Sequence, residues 1–277
     1  MALTLMYITN NSEVASIAQK AGVDRIWIDM EYIGKDKRQG GMDTVQNHHT
    51  IEDIIRIRPI VNKSELMVRI NPVHEKTDAY LGTEQEIEKT IEAGADVIML
   101  PFFKSKKEVE RFISCVGGRA KTMLLVETAE AVKNINEILS IPGIDEVHIG
   151  LNDLHLAYHQ KFMFELLCDG TVERLCSIFK EKGIKYGFGG IARVGYGMLP
   201  AEYIIAEHYR LGSSAAILSR GFCNANQVSD PSKIEDVFIE GVKNIRKKER
   251  EVALYSKEQY ESNLKNIKKL VKDITNA

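Results

Sequence analysis

Little in this sequence is available for cross-linking. Its four cysteines, Cys115, Cys168, Cys176 and Cys223, are widely separated and form no C-x-x-C pair, which excludes a disulfide framework and a zinc knuckle. Reduced thiols in a cytoplasmic protein are the simplest expectation. Long hydrophobic runs are also missing: none approaches the roughly 18 residues that cross a bilayer, so no membrane partner is expected. The opening MALTLMYITNN has neither a basic stretch nor a cleavage site, and no signal peptide is read there. An excess of one charge is absent too. Lys and Arg number 37 against 39 Asp and Glu, a formal net charge of −2, which argues against a nucleic-acid partner held by bulk electrostatics. No low-complexity tract and no repeat beyond a strand–helix unit occurs.

What is present is material for a core. The chain is 44% hydrophobic and 27% charged over 277 residues, an ordinary soluble composition. Its length suits two small domains or one barrel of about 250 residues. Apolar segments alternate with helical ones: LTLMYIT, RIWIDM, ELMVRI, DVIMLP, TMLLVE and IDEVHIG, then KYGFGG and SAAILS. Several are continuous apolar runs, as expected for strands covered on both faces. Between them, Val132, Ile135, Ile138 and Leu139 follow a helical stripe behind Thr128, a capping residue type. Ile87 and Ile91 precede Gly94, which suits a helix end.

Eight such alternations predict an α/β fold, a (β/α)8 barrel over residues 1–230, with a doubly wound open sheet as the alternative. Residues 231–277 read as a charged helical extension with two apolar stripes. One comprises Ile234, Phe238, Val242 and Ile245; the other Leu264, Ile267, Leu270, Val271 and Ile274. These exceed what one closing helix needs, so a homo-oligomer whose subunits cover the surplus is expected. Residues 33–49 form a long polar loop, either a lid and substrate contact or an excursion into solvent.

Barrel enzymes build their sites where strands end at the C-terminal face. Those ends carry Asp29 and Glu31, Arg69 and Asn71, Pro101, Glu127, and Asn152 with Asp153. An acid at a single strand end is commonly a cap or an ion-pair partner. Acids on three ends around one arginine form a different pattern, and the fifth and sixth strands are barrel neighbours. Two carboxylates offer a hard cation too few oxygens, so water or substrate must complete its shell. Oxygen-only ligation with open positions favours Mg²⁺ or Mn²⁺ over zinc. A 2-oxo acid could fill those positions, with the ion as Lewis acid and Arg69 offsetting enolate charge.

The segment VETAEAVKNINEILSIPGIDEVHIGLNDL, with IWIDMEY at 26–32 and MVRINP at 67–72, resembles the HpcH/HpaI aldolase and citrate lyase β-subunit family. The family patterns are E-T-x-x-A, P-G-[IV]-D and G-x-x-D-L, a D-x-E-H stretch and a V-R-x-N/P strand, in consistent order over residues 20–160. The resemblance implies a (β/α)8 barrel in which Glu127 and Asp153 are metal ligands and Arg69 contacts the pyruvate or enolate oxygen. It further implies that Asp29 and Glu31 order the metal's waters, and that the subunits assemble by exchanging the last helix. Asn152 and Tyr32 are the further substrate-binding candidates. The chain departs from the aldolases at Tyr32, where they carry a proton-transferring His, because tyrosine with a pKa near 10 is a poor base at neutral pH. His48 or His49 could replace it, although two loop histidines in solvent are the expectation. GLNDL replaces the more usual G-P-x-D-L.

The glycine-rich YGFGGIARVGYG at 186–197, with Arg193, is a candidate anion contact, or small residues packing near the barrel axis. Glu207 and His208 form no H-E-x-x-H motif. The reading that follows is a metal-dependent lyase of the aldolase type. It would cleave a small-molecule 2-oxo acid to pyruvate or an analogue through a metal-bound enolate. The alternatives are a CoA-thioester lyase of the citrate or malyl type, and a ligand-binding barrel that has lost its chemistry.

Overall fold

A computed structural model describes residues 2–34, 47–228 and 230–276, so most of the polar loop at 33–49 lies outside the described residues. Eight parallel strands close into a barrel in sequence order, with the eighth pairing back to the first. They are β1 (Thr4–Ile8), β2 (Arg25–Asp29), β3 (Glu65–Arg69), β4 (Val97–Leu100), β5 (Lys121–Val126), β6 (Glu146–Ile149), β7 (Lys185–Ile191) and β8 (Ala215–Leu218). The open-sheet alternative is thereby excluded. Helices lie between the strands: α1 (Ser12–Lys20), α2 (Ile51–Ile57), α3 (Thr83–Glu92), α4 (Lys106–Val116), α5 (Ala129–Lys133) and α6 (Ile135–Ile138). The series continues with α7 (Leu151–Ala157), α8 (Glu165–Cys168), α9 (Thr171–Glu181) and α10 (Ala201–Leu211), and ends with α11 (Pro231–Val252) and α12 (Lys257–Asn276).

The barrel interior is graded because side chains alternate with a period of two along each strand. The inner face of β2 reads Arg25, Trp27, Asp29, and that of β3 reads Glu65, Met67, Arg69, in register with it. The middle is apolar: Met6, Trp27, Met67, Met99 and Met123 pack together. Methionine suits an irregular axial space because its thioether is flexible and polarisable. Below them, Arg25 donates to both oxygens of Glu146 at 2.6 Å and to Glu65 at 2.7 Å, with Lys121 also on Glu65. This ionic plug closes the N-terminal end. The polar ends left for chemistry are therefore those at the other mouth.

Local signals act as the sequence indicates. Thr128 caps α5 by accepting from the Ala131 amide at 3.1 Å. Gly94, just past α3, adopts φ +96°. Val132, Ile135, Ile138 and Leu139 are all buried, although Asn134 divides their stripe between α5 and α6. Helix α11 packs on α1 and α10, and α12 packs on α10 and α8. This buries Ile234, Phe238, Val242 and Ile245 of the first tail stripe and Ile267 and Val271 of the second, and leaves Leu264, Leu270 and Ile274 half-buried. No helix among the described residues is long and apolar enough to cross a membrane.

Candidate active site

At the C-terminal mouth, Asp29 and Arg69 end neighbouring strands and pair directly across the register. Arg69 Nε donates to Asp29 Oδ1 at 2.7 Å and Nη2 to Oδ2 at 2.8 Å, while Nη1 lies 3.2 Å from Glu31 Oε2. The guanidinium also stands 5.0 Å from the centre of the Trp27 ring. Burial alone would drive Arg69 towards neutrality, but the charges of Asp29 and Glu31 outweigh it and hold the cation firmly protonated. A guanidinium has five N–H groups, and all three Arg69 nitrogens lie within reach of these acids.

Glu127 follows β5 and is 3% exposed. Its Oε1 accepts from the Phe102 amide at 3.0 Å. Burial first, then the like charges of Glu31 and Asp153, push this carboxyl well above the usual carboxylate range, against a smaller pull from Arg69. Asp153 and Asn152 lie in the first turn of α7 rather than on β6 itself. Gly150, between strand and helix, lets them approach: a Cβ there would sit 2.8 Å from Glu127 Oε2. Acids thus converge from β2, β5 and the start of α7 on a region where the Arg69 cation offsets part of their charge.

The remaining candidates divide. Asn71 is a brace: its Oδ1 accepts from the amides of Tyr32 and Ile33, and its Nδ2 donates to buried Glu86 at 2.8 Å. The Tyr32 ring packs against Tyr80 and His48 and is absent from the cavity lining, so the structure does not bring it to the substrate space expected of it. The expectation of two solvent histidines holds for exposed His48 and fails for His49, which is 7% exposed and lines the cavity. His49 Nδ1 accepts from the Asp29 amide at 3.0 Å, and Asn47 Nδ2 donates to Asp29 Oδ2 at 3.0 Å. One signal marked that placement. Thr50 is the N-cap of α2, with Asp53 accepting from its amide, so the residues just before it must return to the mouth of β2. Arg193 lies over the Tyr196 ring and does not line the cavity; Arg220, just past β8, does.

The cavity holds about 620 Å³ and takes in Trp27, Asp29, His49, Arg69, Glu127 and Asp153. A larger hollow of about 1100 Å³ lies at the opposite end. In its lining Arg58 pairs with Asp96 and Lys121 with Glu65, and barrel chemistry belongs to the C-terminal face. Among the described residues, no group of three or more His, Cys, Asp or Glu is arranged to hold an ion. Glu127 and Asp153 carry hard carboxylate oxygens of the kind Mg²⁺ or Mn²⁺ takes, and two such residues would leave the other positions to water or substrate.

Fold and site together define a (β/α)8 protein with an acidic, arginine-bearing mouth. The chain belongs to the HpcH/HpaI aldolase/citrate lyase family, a lyase family acting on small molecules, whose profile matches residues 3–163. No curated protein sequence matches it. Among solved structures, an HpcH/HpaI aldolase/citrate lyase family protein from Burkholderia cenocepacia J2315 is similar at TM-score 0.61 and 15% identity, over 79% of this chain and 88% of that one. An HpcH/HpaI aldolase from Desulfitobacterium hafniense DCB-2 aligns at TM-score 0.60 and 16% identity, over 88% and 93%. The citrate synthase SbnG aligns at 0.59 and 15%, over 79% and 88%. At such identities these likenesses concern the fold.

Proposed function

We propose that this chain is a divalent-metal-dependent carbon–carbon lyase of the aldolase type, cleaving a 4-hydroxy-2-oxo acid to pyruvate or an analogue and an aldehyde. The observation that carries the reading is the convergence of Glu127 with Asp153 and Glu31 beside Arg69, buried negative charge that wants a cation. Glu127 and Asp153 would hold Mg²⁺ or Mn²⁺, which when bound supplies Lewis-acid polarisation of the 2-oxo carbonyl.

The protein's own groups do the rest. Arg69, oriented by its two bonds to Asp29, presents N–H groups to the oxygen on which charge develops. In cleavage the C3–C4 bond breaks and its electron pair passes to the 2-oxo oxygen as an enolate. The 4-hydroxyl proton leaves to a water or hydroxide positioned by Asp29 or Glu31, and C4 departs as the aldehyde. A proton returned to C3 gives pyruvate. The water that took up the hydroxyl proton can return it, and His49, whose Nδ1 accepts from the Asp29 amide at the cavity wall, is placed to orient that water. This imidazole at the cavity supports a catalytic reading despite Tyr32.

Solvent deuterium exchange into the methyl group of pyruvate tests enolate formation without knowledge of the aldehyde. Exchange is expected with Mg²⁺ or Mn²⁺ and lost with a chelator. Exchange persisting undiminished in a Glu127→Ala, Asp153→Ala double variant rejects the assignment.

A further inference from the structure

The cavity is much larger than a three-carbon oxo acid, and its walls are not alike. A water's share of liquid volume is roughly 30 Å³; counting one such share for each of about six non-hydrogen atoms, pyruvate takes less than half of the 620 Å³ present. A hollow of this size suits a drug-sized molecule. The charged residues Asp29, Arg69 and Glu127 stand on the β2, β3 and β5 side. Beyond Asp153 the lining changes character. The segment after α7 brings Phe162, Met163 and Phe164, and the segment after β7 brings Met198 and Leu199.

Between these two segments the end of β7 is bare. Gly189 and Gly190 line the cavity without side chains, and Gly189 sits at φ +51°, where a Cβ would meet Leu151 Cδ1 at 2.6 Å. Leu151 lies against this bare stretch, and the aromatic and aliphatic groups of the two segments line the same cavity. Phe162 and Phe164 brace one another edge to face with centroids 5.3 Å apart, and both Phe164 and Leu199 are almost wholly buried. Met198, by contrast, is 71% exposed at the rim. A flexible thioether standing in water beside an apolar slot is well placed to fold over an apolar ligand.

We infer that the aldehyde partner carries an apolar body, an alkyl chain or aromatic ring, seated in the slot between Phe162–Phe164 and Met198–Leu199. The inference rests on the lyase reading above and names its second substrate class. The rival is an aldehyde with a carboxylate tail. Arg220 and Asn224, on the β8 side of the same mouth, are the groups such a tail would seek, whereas the side chains of Phe162, Met163, Phe164, Met198 and Leu199 offer it no hydrogen-bond donor.

In the condensation direction, the enzyme with Mn²⁺ and pyruvate would be given acetaldehyde, hexanal, benzaldehyde and succinic semialdehyde. Each buried methylene is worth about a fourfold gain in binding, so kcat/KM for hexanal is expected to exceed that for acetaldehyde at least tenfold. Benzaldehyde should also exceed acetaldehyde, and Met198→Ser should lower the hexanal-to-acetaldehyde ratio. Succinic semialdehyde outperforming hexanal, or cleavage of malyl-CoA in preference to any simple hydroxy-oxo acid, overturns the inference. Pyruvate deuterium exchange, run on the same preparations without aldehyde, separates the two failures. If exchange is present and the apolar aldehydes are not preferred, only the slot assignment falls. If exchange is absent, the lyase reading falls and takes the slot assignment with it.

Discussion

Asp29 and Arg69 face one another across the β2–β3 register and are joined by two parallel hydrogen bonds of 2.7 and 2.8 Å, with the Asp29 carboxylate fully buried. The pair sits at the point where the barrel's apolar core gives way to its acidic mouth, so it serves both stability and orientation. Removing one partner of a buried pair leaves the other charge uncompensated, at a cost of about 3–5 kcal/mol. Asp29→Ala should therefore destabilise strongly in denaturant titrations. Arg69→Lys keeps the charge but loses the planar fork. It should stay folded while pyruvate exchange drops by about 100-fold.

Glu127→Gln should separate stability from function. The buried carboxyl is held above its unfolded value, so its ionisation is a cost that appears as pH rises through the carboxylate range. The amide has no charge to set against Glu31 and Asp153. In chelator-treated protein the variant should melt at a higher temperature than wild type at pH 7. Mn²⁺ binding followed by electron paramagnetic resonance should weaken by more than the roughly 10- to 100-fold typical of losing a ligand's supporting partner.

Gly150→Ala tests the turn that brings α7 to β5. The added Cβ would lie 2.8 Å from Glu127 Oε2 and 2.9 Å from its Cβ, and neither neighbour can withdraw from so enclosed a place. Overpacking of this kind costs about 1–3 kcal/mol. Loss of Mn²⁺ binding should accompany a melting point lowered by a few degrees. Unaltered binding would show that Glu127 and Asp153 do not depend on this approach.

Two buried imidazoles set the acid limit. His148 points into the barrel, with no hydrogen-bond partner at Nδ1 among the described residues and Nε2 against the Gly189 carbonyl at 3.1 Å. His208 stacks on Phe188 at 3.9 Å and bonds Ser213 through Nδ1. Burial lowers His148 to about 4 and His208 to about 3, the latter helped by His148. Both are neutral in the fold, whereas the unfolded chain takes up protons near pH 6.5. The stability they contribute is thus whole above pH 6.5 and lost as pH falls towards 4 and 3. By pH 5 the loss is about 2 kcal/mol for each. Chemical denaturation between pH 7 and pH 5 should show it, and His208→Gln should flatten the profile.

Much of the barrel was written in one dimension. Continuous apolar runs such as DVIMLP and TMLLVE read as strands covered on both faces, and eight strand–helix alternations narrow the topology to a closed barrel or a doubly wound sheet. Thr128, Gly94 and Thr50 mark helix ends by mechanisms that act within a few residues. The strand-end acids were legible for the same reason, because a carboxylate closing a hydrophobic run is a local contrast. His49 was marked by the Thr50 cap beside it and by nothing in its own surroundings. Its burial depends on a loop returning to the Asp29 amide 20 residues away, and the residues around it are as polar as any solvent loop. Tyr32 misled in the opposite sense: its place in the motif suggested the substrate, while packing with Tyr80 turns its ring aside.

By itself, then, the sequence determined the order of strands and helices and the identity of the acids at their ends, since periodicity and capping are short-range properties. Only the closed barrel decided which acids meet. Glu31 and Asp153 come close enough to raise the Glu127 carboxyl, Arg25 finds Glu146 across the barrel, and Phe162 comes to share a cavity with Met198. Those relations join residues far apart in the chain, and their energies arise from desolvation and charge at short distance, which exist once water has been excluded from the mouth.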